Sequence, residues 1–316
     1  MADFAVGANL PWIDYGLDFG ANAWQPAGGL CQPGRRERLR SALGEIAASG
    51  AELLRMWVLA DGRAGILEDD AGRVRGLDPY VSDDLDAALA EIRAAGLRVL
   101  LVLVDHLWLA RPRWESGVRL GGRRPSVRDA ALREVLVHEV LAALVEPHRR
   151  DPAIAAWEVM NEPEWATLGV GTLDPGVSVS RRVMRLFLGE TVAALRARVS
   201  QPLTVGLARR RWRGLVSGLG LDLYQFHWYE GLDRLASLAR PVDELRLEAP
   251  VLLGEYPTRG CTVPPDVLLE TARHAGYAGA LAWSARAGDR FSDAAATRAA
   301  LTAWTQRWTP RRPEIA

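Results

Sequence analysis

The feature that most constrains this chain is a rhythm: short apolar runs alternate with longer amphipathic stretches, and the alternation repeats eight times with turn residues between. The runs fall at residues 4–10, 52–59, 98–105, 153–160, 203–207, 222–228, 251–256 and 279–283, and most are continuously apolar. A strand covered by helices on one face and by packed side chains on the other has no wet face, so continuous runs predict a closed parallel sheet. Helical patterns occupy 35–49, 82–95, 127–149, 180–198, 265–275 and 293–307. Several end at a glycine, as at Gly96, where a helix terminus accepts a left-handed residue. Eight such units predict an α/β fold, a (β/α)8 TIM barrel with enlarged βα loops. A barrel of roughly 250 residues plus its loops accounts for the 316 residues as a single domain, 1–316. The Gly-, Pro- and Arg-rich stretch 110–125 is expected to form a long βα loop over the barrel mouth.

In such barrels chemistry sits at the C-terminal strand ends and in the loops that follow. The fourth run ends Trp157-Glu158-Val159-Met160-Asn161-Glu162-Pro163-Glu164, and the seventh ends Gly254-Glu255-Tyr256-Pro257. Glu162 and Glu255 are three βα units apart, which predicts that they face each other from nearly opposite walls. Glycosidic cleavage needs that geometry: with carboxyl groups about 5–5.5 Å apart, one attacks the anomeric carbon while the other protonates the leaving oxygen, and configuration is retained. A single strand-end glutamate, by contrast, pairs as readily with a neighbouring arginine; the setting of the pair carries the argument.

Asn161-Glu162-Pro163 on the fourth strand and Gly254-Glu255 ending the seventh resemble the two signature sites of clan A glycoside hydrolases. The nearest layout is that of glycoside hydrolase family 5, the cellulase and mannanase group. This resemblance implies that Glu162 is the acid/base, that Glu255 is the nucleophile, and that Asn161 bonds the sugar 2-hydroxyl. It implies no cofactor and no metal. Arg55, in Leu53-Leu54-Arg55-Met56-Trp57, takes the place of an arginine beside the nucleophile, where a guanidinium would lower the pKa of Glu255. His227 and Tyr229, in His227-Trp228-Tyr229, match a His-x-Tyr whose tyrosine donates to the nucleophile and whose histidine supports the acid/base. His106 and Trp283 match sugar contacts, Trp283 as the platform under the sugar being cleaved. The substrate implied is a β-linked gluco- or manno-configured oligosaccharide or glycoside.

Tryptophan is abundant, twelve in all, and most fall at strand ends or in the loops after them. An indole face suits the C–H-rich face of a pyranose, so Trp12, Trp108, Trp165 and Trp228 are expected to line the mouth with Trp283. Trp157, Trp304 and Trp308 read as packing residues. Asp14, Asp18, Asp61, Glu164 and Glu230 add carboxylates near the mouth, either binding sugar hydroxyls or solvated. The loop from Asn9 to Gly20 matches no common cellulase or mannanase pattern and is expected to shape one end of the cleft.

Three other readings stay open: a transglycosylase that uses the same residues and excludes water, a carbohydrate-binding barrel without catalysis, and a metal-dependent barrel hydrolase to which His106 and His227 contribute. No His-x-His or His-Glu-x-x-His spacing supports the last. All 39 basic side chains are arginine, a bias of GC-rich bacterial genomes, and the missing lysine excludes Schiff-base and phosphate-loop chemistry. A formal net charge of zero lacks the electrostatic footprint of a nucleic-acid binder. The expected partner is therefore a carbohydrate, with no nucleic acid and no membrane. Without a basic leader and long apolar run the chain reads as cytoplasmic as written, or as secreted if its leader has been trimmed. Cys31 and Cys261 are expected to be two thiols.

Overall fold

Side chains point alternately to opposite faces of a strand, and the barrel strands sort their residues on that period of two. The computed structural model describes residues 4–286 and 288–308. Its barrel strands are β1 (Ala5–Asn9), β2 (Leu53–Trp57), β3 (Arg98–Asp105), β4 (Ile154–Asn161), β5 (Leu203–Leu207), β6 (Tyr224–His227), β7 (Val251–Pro257) and β8 (Gly279–Trp283). Each pairs in parallel with its sequence neighbours, and β8 returns to β1 through Ala5↔Gly279 to Ala8↔Ala282, closing the barrel. Along β2, Leu54 and Met56 pack outward against the helices; along β4, Trp157 and Val159 do the same. Leu100, Val102, Ala156, Leu252 and Leu281 meet inside and plug the barrel. Above that plug the inward positions turn polar, so the strands are less uniformly apolar than their runs suggest.

Helices α1 (Pro33–Ala48), α2 (Tyr80–Ala94), α4 (Arg181–Arg196), α5 (Pro265–His274) and α6 (Ala294–Trp308) form the outer layer, with α3 a composite over 124–148 that passes through a π-helical segment, Leu136–Ala142. On α4, buried Met184, Phe187, Leu188, Val192 and Leu195 form the helical stripe that meets the barrel. Gly96, just past α2, takes φ +71°. The connections after β5 and β6 are not full helices but a 3-10 turn at Arg210–Leu215 and two short pieces, Leu235–Leu238 and Val242–Leu245. Gly214, Gly218, Gly220 and Pro241 interrupt those segments, which removes the length a stable helix needs.

The loop expected at 110–125 is ordered as a hairpin, Arg113–Glu115 paired with Val118–Leu120. A second hairpin, Ile66–Glu68 with Val74–Leu77, stands in the loop after β2. Both cysteines are free. Trp157 and Trp304 are buried as expected, whereas Trp308 is 40% exposed and lies against Trp304. Among the described residues, no helix is long and apolar enough to cross a membrane.

Candidate active site

Three strand pairings slip register at the mouth end: β4 against β5 between Glu158 and Asn161, β6 against β7 between Phe226 and His227, and β7 against β8 between Leu253 and Tyr256. Such irregularities re-aim the side chains that follow. Here they accompany Asn161, His227 and Glu255 at the rim. Glu162 comes next after β4 and holds φ +48°, ψ +51°, a left-handed conformation costing a non-glycine residue roughly 1–2 kcal/mol. Its N–H donates to the Gly206 carbonyl at 2.7 Å, which helps to fix it there.

Beneath the rim, the fully buried Arg55 guanidinium reaches four side chains. Nε and Nη2 bond the two oxygens of Glu158 at 2.7 and 2.6 Å, and Nη2 also donates to Asn161 Oδ1 at 2.7 Å. Nη1 donates to Asn9 Oδ1 at 3.0 Å and to Glu255 Oε1 at 2.6 Å. Glu158, itself fully buried, accepts a further bond from Gln225 Nε2 at 2.6 Å. Two glycines leave room for this layer: a Cβ at Gly206 would lie 2.4 Å from Glu158 Oε1, and one at Gly254 2.5 Å from the Gln225 side chain. A buried ion pair is tolerable only when its remaining hydrogen-bonding positions are met, as most are around Arg55.

Glu255 receives the Tyr229 hydroxyl on Oε2 at 2.7 Å, and His227 Nδ1 stands 3.5 Å from its Oε1. Glu162 lies 2.7 Å from the same nitrogen through Oε1 and accepts the Trp165 indole N–H on Oε2 at 2.9 Å. Asn161 Nδ2 donates to Asp105, which also receives the Trp57 indole, so the amide is held on both ends. Burial raises the pKa of both Glu162 and Glu255. The expected lowering at Glu255 does not prevail: His227 and Arg55 pull it down, but desolvation outweighs them. Burial pushes His227 down to about 4, so the ring is neutral near pH 7.

Of the expected site residues, Glu162, Glu255, Arg55, Asn161, His227 and Tyr229 converge in this one cluster. His106 borders it, its ring 3.1 Å from Asp105. Trp12, Trp57 and Trp283 meet edge to face beside it, at centroid distances of 6.4, 6.3 and 5.7 Å. Trp108 is a correction: it is 1% exposed, donates to the Leu59 carbonyl and anchors the loop after β3 from below. Trp228 is likewise 3% exposed and bonded to the Arg234 carbonyl, so it pins the loop after β6 and offers little face to the mouth.

The accessory carboxylates are mostly structural. Asp18 caps the β1 loop by accepting from Ile13 and Asp14, and Asp61 binds Arg63. Asp14 pairs with Arg35 and Arg38. Glu230 ties to Thr262. Glu164, in the turn just past Glu162, is not solvated but fully buried, and burial holds its pKa well above the ordinary range. Glu158 and Gln225 were not singled out from sequence. The signal was there: Glu158 stands two residues after Ala156 on the inward face, where a carboxylate needs a cation.

One ligand atom from each of Glu162, His227 and Glu255 lies within 4.8 Å of the others, a set able to surround a cation. Arg55 and Tyr229 already occupy the Glu255 oxygens, however, and a guanidinium at 2.6 Å opposes a second positive charge there.

No family model matches the chain. In sequence it is 22% identical over 326 residues to a mannan endo-1,4-beta-mannosidase of Mytilus edulis, covering 89% of this chain and 83% of that one. It is 31% identical over 151 residues to mannan endo-1,4-beta-mannosidase 5 of Arabidopsis thaliana, covering 42% of this chain and 34% of the relative. In structure it is similar to the endo-1,4-beta-mannanase from Eisenia fetida, with a TM-score of 0.78 and 25% identity over 95% of this chain and 90% of that one. Barrel, carboxylate pair and relatives together define an O-glycosyl hydrolase. Within that class, the relatives and the structural neighbour are mannanases, and the chain resembles clan A glycoside hydrolases of the family 5 type.

Proposed function

We propose that this enzyme is a retaining β-glycosidase that cleaves internal β-1,4 bonds of mannan-type polysaccharides and manno-oligosaccharides. The observation that carries the mechanism is the spacing of the carboxylates: an oxygen of Glu162 and one of Glu255 approach within 4.8 Å. That separation favours direct attack on the sugar, because an inverting pair stands about 6.5–9.5 Å apart to admit a water.

In the proposed reaction, ionised Glu255 attacks the anomeric carbon, and Glu162 gives its proton to the departing glycosidic oxygen as the old bond breaks. Glu162, now ionised, takes a proton from water; the oxygen of that water attacks the anomeric carbon and Glu255 departs as carboxylate. Arg55 and Tyr229 hold Glu255 and stabilise its negative charge. Trp165 and neutral His227 hold Glu162. Asn161, locked between Arg55 and Asp105, has a second amide N–H to offer a 2-hydroxyl.

Mannan as substrate is supported by the names of the relatives, which are mannanases in mollusc, annelid and plant. Reducing-end release from β-mannan, carboxymethyl cellulose and β-xylan tests this choice. Mannan is expected to be cut fastest, with oligosaccharides rather than mannose released first; preference for another glycan, or release of the monosaccharide alone, overturns it.

A further inference from the structure

We infer that the enzyme carries a remote subsite for a neutral saccharide, on a wall built by the loops after β1, β2 and β3 and centred on Trp114. This rests on the carbohydrate reading above and extends it in space. A cleft of about 590 Å³ opens between the β1 loop and the two hairpins, lined by Trp114 among others. Trp114 is 65% exposed, an unusual place for a large indole.

The wall is prebuilt. Trp24 Nε1 donates to the Ser116 carbonyl at 3.3 Å, Asn22 to the Arg63 carbonyl at 3.0 Å, Gly121 N to the Asp61 carbonyl at 3.2 Å, and Arg119 to the Gly72 carbonyl at 2.7 Å. These bonds tie the three loops together, so little loop ordering remains to be done on binding.

Charge in the cleft points to a neutral ligand. Three arginines (Arg63, Arg119 and Arg123) face three carboxylates (Glu68, Asp69 and Asp70). Glu68 lies 3.3 Å from Arg119 and 3.2 Å from Arg123, and Arg63 is committed to Asp61. An anionic or cationic ligand would meet a cation and an anion together. A polyhydroxylated ring meets donors, acceptors and one flat indole face, the combination that binds pyranoses.

A continuous aromatic path joins this cleft to the carboxylates. Trp283 contacts Trp12 at 6.3 Å, Trp12 contacts Tyr15 at 4.6 Å, and the Arg63 guanidinium, at the cleft edge, lies 4.4 Å over Tyr15. All four are partly exposed to solvent. A glycan cleaved at Glu255 can therefore follow this path outward, and only a long one reaches Trp114.

The test compares Trp114→Ala with the parent enzyme on mannohexaose, cellohexaose and an aryl β-mannobioside. Loss of the indole is expected to lower kcat/KM about tenfold on the hexasaccharide that the parent cleaves, chiefly through KM, and to leave the aryl disaccharide unchanged. Trp114→Tyr is expected to restore most of the loss. Equal loss on short and long substrates, or none on the hexasaccharide, overturns the subsite. Cleavage of cellohexaose in place of mannohexaose overturns the mannan assignment instead, while a Trp114 effect on cellohexaose still supports the subsite.

Discussion

Glu255 and Glu162 share one small space, yet their surroundings differ in kind. Glu255 meets a cation and a hydroxyl, Arg55 and Tyr229, and its side chain is 6% exposed. Glu162 meets a ring that burial keeps neutral and an indole, stands on strained left-handed backbone, and is 16% exposed. Burial raises both pKa values, so burial alone does not distinguish them. Their partners do. Among the described residues no arginine is paired with Glu162, so in the proposed mechanism the arrangement favours the charge on Glu255, beside Arg55, and the proton on Glu162.

The sharpest way to break this comparison is to neutralise each carboxyl in turn. Glu255→Gln is expected to remove activity by more than about 10⁴-fold on every substrate, since the covalent route closes. Glu162→Gln is expected to cost roughly 10²–10⁴-fold on oligosaccharides but far less on a nitrophenyl glycoside, whose leaving group needs no proton. Steady-state rates on both substrate types check this, and identical patterns for the two variants would erase the distinction.

Glu158→Gln sharpens the account at the next level. It frees Arg55 from one of its two carboxylates, which strengthens its pull on Glu255. The sign follows: Glu255 ionises more easily, so the acid limb of the kcat/KM profile moves to lower pH. The rate is expected to fall about 10²-fold as Arg55 shifts, and thermal unfolding to show a loss of at most about 3–5 kcal/mol. An unmoved acid limb would leave Glu158 with a purely structural role.

Trp165→Phe has the smallest expected effect. The indole N–H favours ionised Glu162, so its removal raises that pKa and moves the basic limb of the pH profile upward by a fraction of a pH unit. A downward shift would contradict the assigned hydrogen bond.

The barrel was legible because eight apolar runs and their spacing report burial directly, and the ends of all eight strands lie within two residues of those runs. The carboxylate pair was legible because strand ends deliver residues to a predictable place. Trp108 and Trp228 misled because an indole in a loop has the same sequence signature whether it faces sugar or plugs the loop from beneath; only the backbone carbonyls of Leu59 and Arg234 distinguish the cases. The Arg55–Glu158–Gln225 layer was hidden for another reason. Its members lie far apart in sequence, and the space they fill is set by the missing side chains of Gly206 and Gly254. The helices after β5 and β6 failed to form because glycine and proline weaken what the periodicity of the barrel asks for.

The most direct test of the central claim is the configuration of the first sugar released. Proton NMR during hydrolysis of a β-linked manno-oligosaccharide by the full chain is expected to show the β-anomer appearing first, with the α-anomer growing in only as mutarotation proceeds. Initial appearance of the α-anomer would contradict double displacement through Glu255 and, with it, the division of labour between the two carboxylates.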